Sequence, residues 1–105
     1  MTRNATVVII QLRGGWWLDP GECYFLFHAD EPEPRQPAGI VHACPCGCGA
    51  RSAIWFRGRG RGRAEWDVVG DWPKVTLRPS IGIKPVIDGR YHWHGYLEAG
   101  VFVER

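Results

Sequence analysis

Three cysteines at alternate positions carry the clearest chemistry in this sequence. Cys44, Cys46 and Cys48 lie in the run Cys44-Pro45-Cys46-Gly47-Cys48-Gly49, called the Cys knuckle below. Proline fixes its own φ, and glycine adopts backbone angles that other residues resist. The run therefore predicts a tight turn in which at least two of the sulfurs face one another. Since zinc prefers thiolates in a tetrahedral set of four ligands, the Cys knuckle also predicts a structural zinc site.

The fourth ligand of such a site has to come from another part of the chain. The candidates are Cys23, His42, His92 and His94. Common structural zinc sites use Cys-x-x-Cys pairs, whereas this chain has two overlapping Cys-x-Cys spacings. A turn of reduced, partly buried thiols without metal is therefore the alternative.

A serine and a histidine form a second candidate site. Ser80 follows Pro79, and His94 lies fourteen positions further on, in the run His92-Trp93-His94-Gly95. A serine hydroxyl is a weak nucleophile until a base accepts its proton, and His94 is the predicted base. The separation suits a contact between two strands joined by a turn. The alternative is a serine in a turn and two histidines on an exposed strand.

Further groups would complete catalysis by Ser80 and His94. An acid could orient the imidazole, and the acids close in sequence are Asp71, Asp88 and Glu98. The main-chain N–H groups of Ile81 and Gly82 are the candidates for an oxyanion hole, because glycine lets the backbone approach a substrate.

Alternation along a strand decides where the neighbours of His94 point. If His94 faces the active groove, His92 faces it too, and Trp93 points to the opposite side. His92 is then a metal ligand or a substrate contact. Trp93 is a candidate binding residue, because amphipathic rings recur at binding sites. The predicted metal ligands are Cys44, Cys46, Cys48 and His92.

Residues 57–63 alternate arginine with glycine. Such segments bind phosphates and single-stranded nucleic acid, and Arg59 and Arg61 would be the contacts. Nucleic-acid binders of this type have long repeats with aromatic residues interleaved, whereas this run is short and lies between two predicted strands. We therefore predict a mobile, solvated hairpin tip that folding does not need, ahead of docking on an acidic partner. Nucleic-acid binding is the third hypothesis for function.

The composition is that of a globular protein. Of the 105 residues, 45% are hydrophobic and 23% are charged, and the formal net charge is +2. This balance argues against disorder, and the small net charge gives no global field that would attract nucleic acid. The sequence shows no signal peptide and no segment that could cross a bilayer. We therefore expect a cytoplasmic protein with reduced cysteines and no membrane partner.

Short β-branched and aromatic runs, punctuated by 14 glycines and 8 prolines, predict an all-β fold. We predict a small single-domain antiparallel sheet built from hairpins around the Cys knuckle. Residues 1–39 supply N-terminal strands and a Pro-rich loop, and residues 40–105 contain the motifs. Residues 5–13 are predicted as a central strand, and Pro79 is predicted to end the strand before it. The other predicted strands cover residues 22–28, 40–43, 50–56, 64–69, 74–77, 81–87, 91–97 and 101–104.

Taken together, the motifs resemble those of a known family. The pattern is Cys-Pro-Cys-Gly-Cys-Gly, a tryptophan strand, Thr-Leu-x-Pro-Ser-Ile and His-Trp-His-Gly-Tyr-Leu-x-x-Gly, and it covers residues 40–104. The family consists of uncharacterised domains from bacteriophage genomes and from bacterial operons for ubiquitin-like conjugation. The resemblance implies the activity of the operon members, which is that of a serine peptidase that processes or removes the ubiquitin-like modifier.

The resemblance implies roles for particular residues. Ser80 and His94 match the family's serine and histidine, and residues 44–49 match its cysteine-rich motif. Trp93 is a departure, because operon members often carry cysteine there. The leading hypothesis is a small serine hydrolase, a peptidase acting on a polypeptide or ubiquitin-like C-terminal tail. The alternative is a non-enzymatic, zinc-stabilised phage protein that binds a host protein in the host cytoplasm. The sequence does not indicate an oligomeric state.

Overall fold

The chain folds into one mixed β-sheet that nearly closes into a barrel. The structure, a computed structural model, describes residues 3–11 and 17–105, with the main chain alone for residues 85–87. Within these ranges there are nine strands and no helix, so the all-β prediction is confirmed. The strands are β1 (Ala5–Thr6), β2 (Val8–Ile9), β3 (Glu22–Leu26), β4 (Gly39–Ala43), β5 (Arg51–Phe56), β6 (Glu65–Val69), β7 (Thr76–Ile87), β8 (Arg90–Glu98) and β9 (Val101–Glu104).

The first segment of the chain contributes to both ends of the sheet. The strand order is β1-β9-β8-β7-β6-β5-β4-β3-β2, so β1 and β2 lie at opposite ends although only Val7 separates them in sequence. The prediction of one central strand over residues 5–13 is therefore wrong. The Val7 N–H donates to the Gly100 carbonyl and the Val8 N–H donates to the Gly21 carbonyl, which directs the segment to two different neighbours. Residues 12–15, where a strand end and a Gly-Gly break were predicted, lie outside the described residues.

The sheet is mixed, because two strand pairs are parallel. β2 pairs with β3 in parallel, and β5 pairs with β6 in parallel through Trp55↔Glu65 and Phe56↔Trp66. Residues 57–63 are therefore not a hairpin tip. They form the loop that lets the chain enter β6 in the same direction in which it left β5. The other strand pairs are antiparallel, as the hairpin pattern predicted.

β7 is a long strand that continues through Pro79, against the prediction that this proline ends a strand. Its pairing with β8 shifts in register between Leu77 and Ile81. A bulge leaves residues without a ladder partner, so the missing N–H of a proline costs no hydrogen bond there. Ser80 lies at this irregularity.

Alternate residues of β7 and β8 form the core. Leu77, Ile81 and Ile83 of β7 are buried, as are Trp93 and Leu97 of β8. Side chains of a strand alternate between its two faces, so the residues between these point to the outer face of the pair. No helix in the described part of the chain is long and apolar enough to span a membrane.

Candidate active site and metal cluster

Ser80 and His94 meet on the outer face of the β7–β8 pair. Ser80 Oγ lies 3.0 Å from His94 Nε2, and the contact is partly buried. The register accounts for this contact, because Gly82 is the direct cross-strand partner of His94 and Ser80 is two residues away on the same face. A serine and an imidazole at hydrogen-bonding distance can act as a nucleophile and its general base.

The second ring nitrogen of His94 fixes the tautomer. His94 Nδ1 lies 3.1 Å from the main-chain oxygen of Arg105, and the Arg105 N–H donates to the His94 carbonyl at 2.8 Å. A main-chain oxygen only accepts hydrogen bonds, so Nδ1 carries the proton of the neutral imidazole. The lone pair of Nε2 then faces Ser80, which is the arrangement that proton abstraction from the hydroxyl requires.

No carboxylate side chain occupies the orienting position among the described residues, where Asp71, Asp88 and Glu98 were the candidates. The Glu98 carboxylate instead accepts from the Arg105 guanidinium at 3.1 and 3.2 Å. Arg105, the residue after β9, thus supplies the orienting group through its main chain.

Two aromatic side chains hold the pair in place. The Trp66 indole N–H donates to the Ser80 carbonyl at 3.2 Å. The Tyr91 ring stacks on His94 with a centroid separation of 5.7 Å and an interplanar angle of 21°. A Cβ on Gly82 would lie 2.7 Å from the Tyr91 ring, so the glycine makes room for this stack.

The three cysteines of the Cys knuckle converge with His92. Cys44 Sγ lies 3.3 Å from Cys46 Sγ, which lies 2.9 Å from His92 Nε2. The ligand atoms of Cys44, Cys46, Cys48 and His92 all lie within 4.8 Å of one another. The prediction that at least two of the sulfurs face one another is confirmed, and the cluster is compatible with a metal site.

Glycine produces the tight turn of the Cys knuckle. The Gly47 N–H donates to the Cys44 carbonyl at 3.0 Å, and the Cys44 N–H donates to the Ala50 carbonyl at 2.8 Å. Gly47 and Gly49 have φ angles of 88° and 89°, in the left-handed region that other residues rarely adopt. The turn therefore depends on these two glycines.

The donor set suits a closed tetrahedral zinc site. With Zn–S bonds of about 2.3 Å and Zn–N bonds of about 2.0 Å, neighbouring ligand atoms lie about 3.5 to 3.8 Å apart, so the cluster needs only small shifts. Burial raises the pKa of the Cys44 thiol to about 12, which keeps this sulfur protonated in the absence of a cation. A bound metal would deprotonate it.

The other candidate ligands lie elsewhere. Cys23 is buried, its thiol donates to the Gly21 carbonyl at 3.4 Å, and burial raises its pKa to about 12. His42 is fully buried and stacks on Phe102 at 4.7 Å between ring centroids. His94 forms a hydrogen bond with Ser80. Of the four candidates, the structure brings His92 to the Cys knuckle.

The metal cluster and the Ser80–His94 pair are neighbours on β8. His92 and His94 are two residues apart on the same face, about 7 Å between Cα atoms. Trp93 points to the opposite side, where it is fully buried and its indole N–H donates to the Arg3 carbonyl at 2.9 Å. The prediction of Trp93 as a binding residue is therefore wrong. Its ring is enclosed in the core, where no ligand reaches it.

Arg59 and Arg61 are held by the acidic loop that precedes β4. Arg59 Nη2 lies 2.5 Å from Glu31 Oε1, and Arg61 Nη2 lies 2.9 Å from Asp30 Oδ1. The Arg63 guanidinium lies 3.9 Å from the centroid of the Trp55 ring. These ion pairs and the contact with the Trp55 ring connect the loop of residues 57–63 to residues 30–31 and to β5.

The comparisons with known proteins agree with the geometry. The family described as bacterial ubiquitination-like system serine protease (BubE) matches residues 17–104. The chain belongs to this family. The BubE match extends beyond residues 40–104, where the sequence motifs lie, and includes β3. No curated protein and no solved structure shows a match to the chain. Membership of BubE confirms the relation to serine peptidases of ubiquitin-like systems.

Three residues around Ser80 and His94 were not predicted from the sequence: Trp66, Tyr91 and Arg105. Arg105 acts through its main-chain oxygen, which leaves no side-chain signal in a sequence. Trp66 was placed on a strand next to β7, but nothing local indicates that its N–H reaches Ser80. Tyr91 left no local signal either, because its cross-strand partner is Val86 and its ring reaches Gly82 across the register shift between Ile83 and Val86.

Proposed function

We propose that the chain is a serine peptidase in which Ser80 is the nucleophile and His94 is the general base. The observation that carries the proposal is the 3.0 Å contact between Ser80 Oγ and an imidazole nitrogen whose lone pair faces it. The Arg105 main-chain oxygen keeps the imidazole in this tautomer. The family description supports the same class of reaction.

The chemistry follows from these contacts. Ser80 Oγ attacks the carbonyl carbon of the scissile bond while His94 Nε2 takes the hydroxyl proton. The same nitrogen then gives the proton to the departing amine, which leaves an acyl-enzyme ester on Ser80. Water, deprotonated by His94, hydrolyses the ester and restores the hydroxyl. The N–H groups of Ile81 and Gly82 stay the candidates for the oxyanion hole.

The proposed substrate is a polypeptide tail or the C-terminal tail of a ubiquitin-like protein. The family description places its members in ubiquitination-like systems, which supports this substrate class. Ser80 and His94 are both partly exposed on the outer face of the sheet, where an extended peptide can reach them.

We also propose that the Cys knuckle and His92 bind a structural zinc ion. Three thiols and one imidazole fill all four positions of a tetrahedral site, so none is open for water or substrate. The ion would fix the start of β8, two residues before the general base. Its contribution would therefore be to stability and to the position of β8.

A fluorophosphonate probe tests the nucleophile, because it reacts covalently with activated serines. Intact mass should show one adduct on the native protein and none on Ser80→Ala. His94→Ala should slow labelling by about 10² to 10⁴-fold, since general-base catalysis contributes a factor of that size. Ser52→Ala is the matched control, because Ser52 lies on β5, which pairs with β4 and β6 and not with β7 or β8.

The variants should also behave as a unit in peptide hydrolysis. Ser80→Ala, His94→Ala and the double variant should lose turnover to the same extent. Equal labelling of the native protein and Ser80→Ala would rule out the nucleophile. A native protein that stays unlabelled with its fold intact would favour the alternative, a binding module without catalytic activity.

A further inference from the structure

A cavity with an excess of positive charge opens beside His94. Its volume is about 540 Å³, and its charged lining consists of Arg3, Arg90, Arg105 and Glu104. His94 also lines it. Three cationic side chains therefore face one anionic side chain next to the general base.

The three arginines differ in what they already bind. Arg3 Nε donates to Glu104 at 2.9 Å, and Arg105 donates to both oxygens of Glu98. Arg90 is exposed and forms no ion pair within residues 3–11 and 17–105. Arg90 thus offers a guanidinium whose five N–H donors are available to a ligand.

Two stacked rings form part of the remaining wall of the cavity. Tyr91 lines the cavity and stacks on His94. The phenol ring and the imidazole present a surface against which an extended peptide can lie, with the Arg90 guanidinium at its edge. An arginine matches a carboxylate through two parallel hydrogen bonds, which gives orientation as well as attraction.

His94 links the cavity to the departing group of the proposed reaction. In acyl transfer to serine, the acyl half of the substrate stays bonded to the serine oxygen, and the other half leaves with a proton from the imidazole. The cavity is lined by His94, the residue that gives its proton to the departing half. A departing half that lies against the imidazole is therefore next to this cavity.

We propose that this cavity binds a carboxylate in the departing half of the substrate, so that the peptidase prefers an acidic group on the C-terminal side of the cleaved bond. Arg90 supplies the principal contact. The inference rests on the proposed peptidase function and specifies its substrate.

Hydrolysis of matched peptides tests this preference. The set contains a neutral peptide, one with aspartate in the departing half and one with aspartate in the acyl half. The second should have a kcat/KM about tenfold higher than the other two, as expected for one charge-assisted hydrogen bond. In 1 M NaCl, where the Debye length falls to about 3 Å, the preference should shrink severalfold. Peptides ending in a free carboxylate or an amide show whether the chain terminus serves as the acidic group.

Arginine variants assign the preference to the cavity. Arg90→Gln should lower the ratio of acidic to neutral peptide to about one, and Arg90→Lys should keep part of it because the charge is retained. Lys74→Gln is the control: it removes one exposed charge before β7, outside the cavity lining, and should keep the full ratio. Equal rates for the three peptides, a preference for the acyl-half aspartate, or a ratio that Arg90→Gln leaves intact would overturn the proposal.

A binding measurement separates this proposal from the peptidase function. Fluorescence anisotropy with the Ser80→Ala variant should show tighter binding of the departing-half aspartate peptide than of the neutral one, and Arg90→Gln should remove the difference. If the fluorophosphonate labels Ser80 but the two peptides bind equally well, the peptidase proposal stands and the cavity proposal fails. An unlabelled Ser80 with an Arg90-dependent difference means that the cavity binds a carboxylate but the peptidase proposal fails.

Discussion

Replacing Cys48 by serine should separate zinc binding from folding. Cys48 is the exposed member of the cluster, whereas Cys44 is fully buried. Without metal, Cys48→Ser should change the free energy of unfolding by less than about 0.5 kcal/mol, as surface substitutions usually do. Cys44→Ser should cost about 1 to 3 kcal/mol even without metal, because Cys44 is fully buried and a hydroxyl is more costly to remove from water than a thiol.

The zinc-dependent part of the stability should be much larger. Free zinc at 1,000 times its Kd adds about 4 kcal/mol to the free energy of unfolding. For a domain of this size, 1 kcal/mol shifts Tm by about 4–8 °C, so zinc should raise Tm by about 15–30 °C. Cys48→Ser leaves three ligands, and the zinc-dependent rise should fall to less than about half of this value.

Circular dichroism melts with excess zinc and with a chelator measure this difference. Cys23→Ser is the matched control, because Cys23 is a buried thiol outside the cluster. It should lower Tm in both conditions and keep the full zinc-dependent rise. The same Tm with and without zinc in the native protein, or a full rise in Cys48→Ser, would refute the metal assignment. So would less than about a tenth of an equivalent of zinc by elemental analysis.

Three further substitutions test the stack at the active site, the buried His42 and the arginine loop. Gly82→Ala should push the Tyr91 ring away from its position on His94 and slow labelling of Ser80 severalfold, and the double variant with Tyr91→Ala should show no additional loss. Burial lowers the pKa of His42 from 6.5 to about 4. The unfolded chain therefore binds this proton first as the pH falls, and the free energy of unfolding decreases by about 3 kcal/mol between pH 6.5 and pH 4. His42→Phe should remove that part of the acid sensitivity in urea unfolding with a chelator present, and an unchanged pH dependence would contradict it. Arg59→Ser removes the bonds to Glu31 and to the Gln36 carbonyl and should cost about 1 kcal/mol with the fold retained; a cooperative loss of the fold would show that the loop carries more of the structure.

Short-range patterns predicted the local features of the molecule well. Glycine and proline between β-branched and aromatic runs predicted an all-β fold, and most strands lie within two residues of their predicted bounds. The Pro/Gly spacing of the Cys knuckle predicted converging sulfurs, because three residues of fixed or left-handed φ leave the turn few conformations. The fourteen-residue spacing predicted the pairing of Ser80 with His94, and the family motifs contain the same two residues.

Long-range pairing was harder to predict. Residues 5–13 have the apolar character of a central strand, yet β1 and β2, on either side of Val7, lie at opposite ends of the sheet. A proline is an ordinary strand terminator, yet Pro79 lies within β7 because the register shift removes the need for its N–H. Both outcomes depend on which distant strand pairs with the segment, and the sequence of the segment alone does not indicate its partner.

The sequence by itself determined which faces the side chains of β8 occupy, since covalent geometry makes them alternate whatever the strand packs against. It thereby set Trp93 opposite His92 and His94. Only the tertiary structure decided that His92 joins the cysteines, that His94 reaches Ser80 and that a main-chain oxygen of Arg105 orients the imidazole. These contacts depend on strand register, and register is set by the free energy of burying the whole core, to which residues throughout the chain contribute.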